Sequence, residues 1–403
     1  MRNSLKLQVL VFILIRTLMN TSVRMVYPFL PAIGRGLGVE IGLLSRAIML
    51  RSASGIFGPF LATIADTRGR KTGMVLGVLV FTSGMALMLF RPSFITFTVM
   101  LFISILGIFA FLPAMQAYLG DKVPYERRGL VLALTEFSWS LSFIFGIPVV
   151  GFLIIRGGWL APFPFFTIAG GIAVAGLAWM LPGNKPAGDG GMQMWKNLEK
   201  VFTFAPALAG ITIGFAISVA NEMVNLMFGV WLEGTFGVQI GALAAASVVI
   251  GISELTGEGL VGGTTDRIGK RRAVGIGIIL NCLVAGLIPI LGSSLAGALV
   301  GLFCFYLTFE FTIVSAIPLM TEIMPAVRAT MMAAFISSTS LGRALGDWIA
   351  PALYQFGKDF GGMSGIMAII AGVLFFNALA GIGLIVLNKS LGGGWHESAE
   401  NPV

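Results

Sequence analysis

Little in this sequence titrates. Only 11% of its 403 residues are Asp, Glu, Lys or Arg, histidine occurs once and cysteine twice, whereas soluble domains carry about 25% charged residues. That scarcity excludes the two or three soluble domains a chain of this length would otherwise suggest. His396 sits in a polar tail behind Gly392, Gly393 and Gly394, and reads as a solvated residue. Cys282 and Cys304 lie inside apolar runs without metal or redox spacing. No Gly-Xaa4-Gly-Lys-Ser/Thr loop is present to cradle a nucleotide. The apolar runs also contain no nucleophile–base or metal-ligand pattern, so neither an enzyme nor a cofactor is expected. Nor do basic residues interleave with aromatics on a polar face, and the net charge of +8 is no nucleic-acid footprint.

What is abundant is apolar surface, at 57% of residues. A helix crossing the roughly 30 Å hydrocarbon layer needs about 20 mostly apolar residues. Such spans are predicted at Leu7–Ile33, Ile41–Ala65, Thr72–Phe90, Ile95–Leu119, Gly129–Ile155, Trp159–Leu181, Ala205–Trp231, Ile240–Thr264, Ala273–Leu291, Leu295–Met320, Met331–Leu353 and Gly365–Leu387. The first carries Arg16, Asn20 and Arg24 and is too long and polar for a signal peptide. The 54 glycines suit membrane helices, which approach closely through small residues.

Basic residues set the expected orientation. With the N-terminus inside, the inner segments hold Arg68, Arg70, Lys71, Lys122, Arg127, Arg128, Arg267, Lys270, Arg271, Arg272 and Arg328 among others. The outer loops hold only Arg35, Arg91, Arg156 and Lys358. The positive-inside rule then puts both termini in the cytoplasm, for a multi-pass protein of the inner membrane.

The chain repeats itself at an offset of about 200 residues. Asp66 and Gly69 correspond to Asp266 and Gly269, Arg128 to Arg328, Leu141 to Leu341 and Gly146 to Gly346. The division expected is a bundle over 1–181, a cytoplasmic linker over 182–204 and a second bundle over 205–403. An even number of spans per repeat keeps both copies in the same orientation, and parallel copies can rock about a central site.

The loop after the second span of each half also carries a motif. Gly262, Asp266, Arg267, Gly269, Lys270 and Arg271 form the second copy; Asp66, Gly69, Arg70 and Lys71 form the first, with Ala62 and Thr67 as departures. This pattern resembles the signature loop of the major facilitator superfamily, along the whole chain. The resemblance implies an all-α membrane protein of twelve helices in two pseudo-symmetric six-helix bundles, working by alternating access. Gly146-Ile147-Pro148-Val149-Val150-Gly151 partly resembles the Gly-Pro motif of that family's drug/proton antiporters. Gly precedes Pro by two residues rather than one, and Ile103 stands where that branch usually carries Arg.

Ten ionisable residues fall within predicted spans: Arg16, Arg24, Arg46, Arg51, Glu136, Glu222, Glu254, Glu310, Arg343 and Asp347. Each costs about 2.5–3.5 kcal/mol at a helix centre on insertion scales, so such residues face a cavity, pair or titrate. Arg16, Asn20, Arg24 and Tyr27 share one helical face. Asn221, Glu222 and Asn225 form a comparable face on the seventh span. The resemblance adds Glu310. These eight are the expected substrate-binding set.

Glu222, Glu310, Glu136 and Glu254 are the proton-coupling candidates. Asp66, Gly69, Arg70, Asp266, Arg267, Gly269, Arg51 and Asp347 are the gate candidates. Arg24 with Glu222 as a structural pair, and Arg343 with Asp347 as an intrahelical one, are the competing structural readings. The arginines lie mostly in the first half and the carboxylates in the second. Two readings follow: Arg–Glu pairs latch a state, or the arginines receive an anionic solute. The expected protein is a monomeric secondary transporter in contact with membrane lipid, exporting a small organic or amphipathic solute against protons. Uptake or exchange of an organic anion, and a transport-inactive sensor or scaffold, are the alternatives.

Overall fold

The computed structural model describes residues 5–58, 69–124, 127, 131, 134–182, 193–360 and 364–392, and these are nearly all helical. The first span is a broken helix: α1 (Leu5–Arg24) gives way to a turn, and α2 (Leu30–Leu37) resumes. Pro28 and Pro31 explain the break, since proline has no N–H and clashes with the preceding turn. Then follow α3 (Ile41–Ala53), α4 (Arg70–Phe90), α5 (Phe94–Lys122), α6 (Leu134–Gly157) and α7 (Pro162–Met180). The predicted linker contains α8 (Gln193–Thr203). After it come α9 (Ala205–Phe236), α10 (Ile240–Ile268), α11 (Lys270–Leu291), α12 (Leu295–Ile323), α13 (Arg328–Asp359) and α14 (Gly365–Gly392).

Among the described residues, ten helices are long and apolar enough to cross a membrane. The second and eleventh predicted spans are not among them, for identifiable reasons. Of the second, α3 and a 3₁₀ turn at Ser54–Phe57 are described, and residues 59–68 lie outside the described set. The eleventh coincides with α13, which has the length but dilutes its apolar residues with Arg343, Asp347 and a run of Ser and Thr.

The repeat is visible in the backbone. α5 and α12 are each 29 residues long and open on a serine cap: Ser93 Oγ accepts from the Thr96 N–H at 3.2 Å, and Ser294 Oγ from the Gly297 N–H at 3.1 Å. α4 and α11 are each preceded by a glycine in the left-handed region, Gly69 at φ 93° and Gly269 at φ 91°. A side chain there would be strained, so both reversals demand glycine.

The chain forms two compact units, Met1–Gly191 with Leu226–Leu255, and Met192–Asn225 with Thr256–Val403. The boundary passes through α9 and α10. In the first unit α4 and α5 pack together, with α7 on α4. In the second, α11 packs with α12 and α14, and α8 lies on α13, burying Val201 in a core with Ile213, Met320 and Phe335.

Candidate functional site

In the first unit the polar face of α1 lies along α6. Arg16 reaches Glu136 through two nitrogens, at 2.8 and 2.5 Å, and Thr135 Oγ1 at 3.4 Å. One turn on, Asn20 Nδ2 donates to Ser138 Oγ at 3.3 Å. A further turn on, Arg24 donates to Glu254 Oε1 and Oε2 at 2.5 and 2.9 Å and to the Trp139 carbonyl at 3.0 Å. The i, i+4, i+8 spacing thus becomes a ladder of three rungs. Its carboxylate partner is Glu254 on α10.

The Arg24 guanidinium also lies 4.2 Å from the ring centroid of Trp139 and 3.4 Å from that of Phe143. Such cation–π contacts strengthen when water is excluded, and Arg24 and Glu254 are 2% and 3% exposed. The backbone of α6 creates this seat. Pro148 cannot donate to the preceding turn, and residues Ser142–Gly146 adopt one π turn. Gly146 lets α1 come in close: a Cβ there would stand 1.9 Å from Thr21 Oγ1.

α10 is admitted in the same way. A Cβ on Gly251 would meet Phe143 Cβ at 2.9 Å, and one on Gly151 would meet Ala244 Cβ at 2.9 Å. The Gly146-to-Gly151 segment is therefore where α1 and the first part of α10 both close on α6. At the break after α1, Arg51 donates to Tyr27 Oη at 2.6 Å and to the Val23 carbonyl at 2.9 Å. Arg35 on α2 pairs with Glu233 on α9.

In the second unit Asn221, Glu222 and Asn225 are buried on α9. Asn225 Nδ2 donates to Glu222 Oε2 at 3.4 Å, and Tyr306 Oη donates to Asn225 Oδ1 at 3.1 Å. Asn221 Oδ1 is buried and has no hydrogen-bond partner. Glu310 is buried one turn beyond Tyr306 on α12, where a Cβ on Gly257 would touch its Cβ at 3.0 Å. Gly346 brings α13 equally close to Glu222, and Asp347 beside it is fully buried.

The gate candidates divide. Arg70 Nε donates to Asp121 at 3.4 Å in the first repeat, and Lys270 pairs with Glu322 at the equivalent place in the second. Arg267 is exposed at the end of α10. Asp66, with Ala62 and Thr67, and the side chain of Asp266 lie outside the described residues.

Several residues escaped a reading built on charges. Trp139 and Phe143 are apolar and look like lipid-facing residues in a sequence. Asn281 donates to Thr308 Oγ1 at 2.9 Å and to the Phe305 carbonyl at 3.0 Å, and it accepts from Asn377 Nδ2 at 2.7 Å. A search for amides as well as ions inside apolar runs would have found that clamp between α11, α12 and α14.

Comparison with known proteins places the whole in context. Residues 12–346 match the model of the Major Facilitator Superfamily. An uncharacterised MFS-type transporter of Bacillus subtilis, YwfA, is 24% identical over 81% of this chain and 80% of its own. The cis,cis-muconate transport protein of Acinetobacter baylyi is 27% identical over 84% of this chain and 83% of its own. The multi-drug resistance efflux pump PmrA homolog of Lactococcus lactis is 23% identical over 66% and 68%. Among solved structures, a D-xylose-proton symporter superposes with a TM-score of 0.75 at 15% identity, covering 94% of this chain and 96% of that one.

Proposed function

This chain belongs to the major facilitator superfamily and is a secondary transporter; on that premise we propose that it exports a small organic or amphipathic solute in exchange for protons across the inner membrane. The observation that carries the reading is the dry ion pair of Arg24 with Glu254. Removing one partner of a buried pair costs about 3–5 kcal/mol, because the other charge is left without compensation. Protonating Glu254 does the same thing reversibly. The pair is then a latch that a proton opens, while the rings of Trp139 and Phe143 keep the guanidinium in place.

Glu222 and Glu310, on α9 and α12, supply carboxyls that load and release the coupling proton. One charge moved through the membrane potential yields about 2.3 kcal/mol per 100 mV. Asn221, Asn225 and Tyr306 offer a neutral solute donors and acceptors among buried surroundings. The Lactococcus efflux pump is a relative whose name fits the outward direction.

A second reading, transport of an organic anion, is favoured by the relative named for muconate and by Arg16 and Arg24. Against it, both arginines already hold a carboxylate, so an incoming anion gains only by displacing one. Exchange in proteoliposomes over a panel of solutes separates the two. Under the antiport reading a pH gradient drives solute movement, and Glu222→Gln abolishes it while the protein elutes as a folded species. Undiminished pH-driven exchange in Glu222→Gln removes that carboxyl from the mechanism. Loss of anion binding alone in Arg24→Ala selects the anion reading.

A further inference from the structure

At the end of the second unit that carries its basic loop, a cavity of about 940 Å³ opens between α11, α12 and the end of α14. Its lining combines the apolar Phe204, Leu319, Ile323 and Leu391 with the basic Lys270, Arg271, Arg272 and Arg328. Glu322 also lines it, but Lys270 already holds that carboxylate. Among the described residues, Arg271, Arg272 and Arg328 make no ion pair with a carboxylate.

The first repeat uses its basic residues differently. Arg70 is spent on Asp121, and Lys71 Nζ donates to the carbonyls of Ala178 and Leu181 at 2.6 and 2.7 Å, closing the end of α7. Where the second repeat has Arg272, the first has Thr72. A topology signal alone needs neither an extra arginine nor a hollow lined by both arginines and apolar side chains.

We propose that this cavity binds the headgroup of an anionic phospholipid of the phosphatidylglycerol class. Guanidinium forks match phosphate oxygens in pairs. The apolar lining residues accommodate the glycerol and the first acyl carbons. The ends of α11, α12 and α14 set the cavity at headgroup depth on the basic side of the membrane, where anionic lipids recruit Lys and Arg. A soluble phosphate ester shares the charge chemistry but gains nothing from Phe204, Leu319 or Leu391.

The test is retention of lipid by the purified full-length protein in neutral detergent. It is offered equal amounts of phosphatidylglycerol and phosphatidylcholine with identical acyl chains and read by native mass spectrometry. Each arginine near the surface is worth about fivefold in preference for an anionic lipid. Arg272→Thr, which installs the residue of the first repeat, is therefore expected to lower that preference about fivefold. The triple change Arg271→Gln, Arg272→Gln, Arg328→Gln is expected to abolish it. Arg91→Gln with Arg156→Gln, in loops assigned to the other side, is the control and leaves it intact.

Equal retention of the two lipids by the unmodified protein overturns the proposal. So does an equal loss in the control, which would reduce the effect to net charge. Displacement of bound phosphatidylglycerol by an equal concentration of inorganic phosphate or glycerol phosphate assigns the cavity to soluble phosphates and likewise overturns it. Should the triple variant fail to elute as a folded species, the Arg272→Thr comparison decides alone, and an unchanged preference there is a negative result.

Discussion

Arg16 and Arg24 stand two turns apart on one face of α1, and each grips a carboxylate through two nitrogens, yet their surroundings differ sharply. Glu136 is 49% exposed, while Arg24 and Glu254 are 2% and 3% exposed. Water screens the first pair and leaves it worth little. The second has traded its hydration for a partner, a carbonyl and two aromatic rings, so it is costly to break and informative when broken. The lower pair joins neighbours in one half of the sequence. The upper pair reaches α10, which the sequence places in the other half. What distinguishes the two pairs is thus the burial and the span of sequence each bridges, since residue types and distances are nearly the same.

Three measurements along this seam break or sharpen that contrast. Glu254→Gln, which leaves Arg24 charged and its partner neutral, is expected to lower stability by about 3–5 kcal/mol in an SDS unfolding titration. Its pairing with Arg24→Met in a double-mutant cycle is expected to return much of that loss. A change under 1 kcal/mol would mean that water reaches the pair, and the latch reading would fall. Gly146→Ala is next. With Thr21 filling the space of the new Cβ, overpacking is expected to cost about 1–3 kcal/mol, with part of it recovered by Thr21→Ala. Failure of Thr21→Ala to help would trace the cost to the π turn instead of the helix approach. Glu136→Gln is the smallest, at about 0.2–1 kcal/mol, and is expected to shrink further as salt is raised. A loss as large as that of Glu254→Gln would erase the distinction between the two pairs.

Much of this was legible without coordinates. A run of apolar residues long enough to span a bilayer has few fates, so the helices of α4, α5, α11 and α12 follow from composition and from Ser93, Ser294, Gly69 and Gly269 at their starts. The shared face of Arg16, Asn20 and Arg24 follows from helical period alone. Partner choice was not legible. Nothing local to Glu254 in the chain says that it meets Arg24. The aromatic seat was hidden for a different reason: Trp139 and Phe143 reach the guanidinium because a π turn reorients one stretch of α6, and apolar residues in an apolar run carry no signal of that.

The amino-acid sequence by itself determined that this is a duplicated bundle of membrane helices with ions where lipid would not tolerate them, because the hydrophobic cost of any other arrangement is prohibitive. Which ions neutralise which was decided only in the tertiary structure. Pairing depends on how closely helices distant in sequence approach, and that approach is set by Gly146, Gly151 and Gly251, whose missing side chains matter only once a neighbour fills the space.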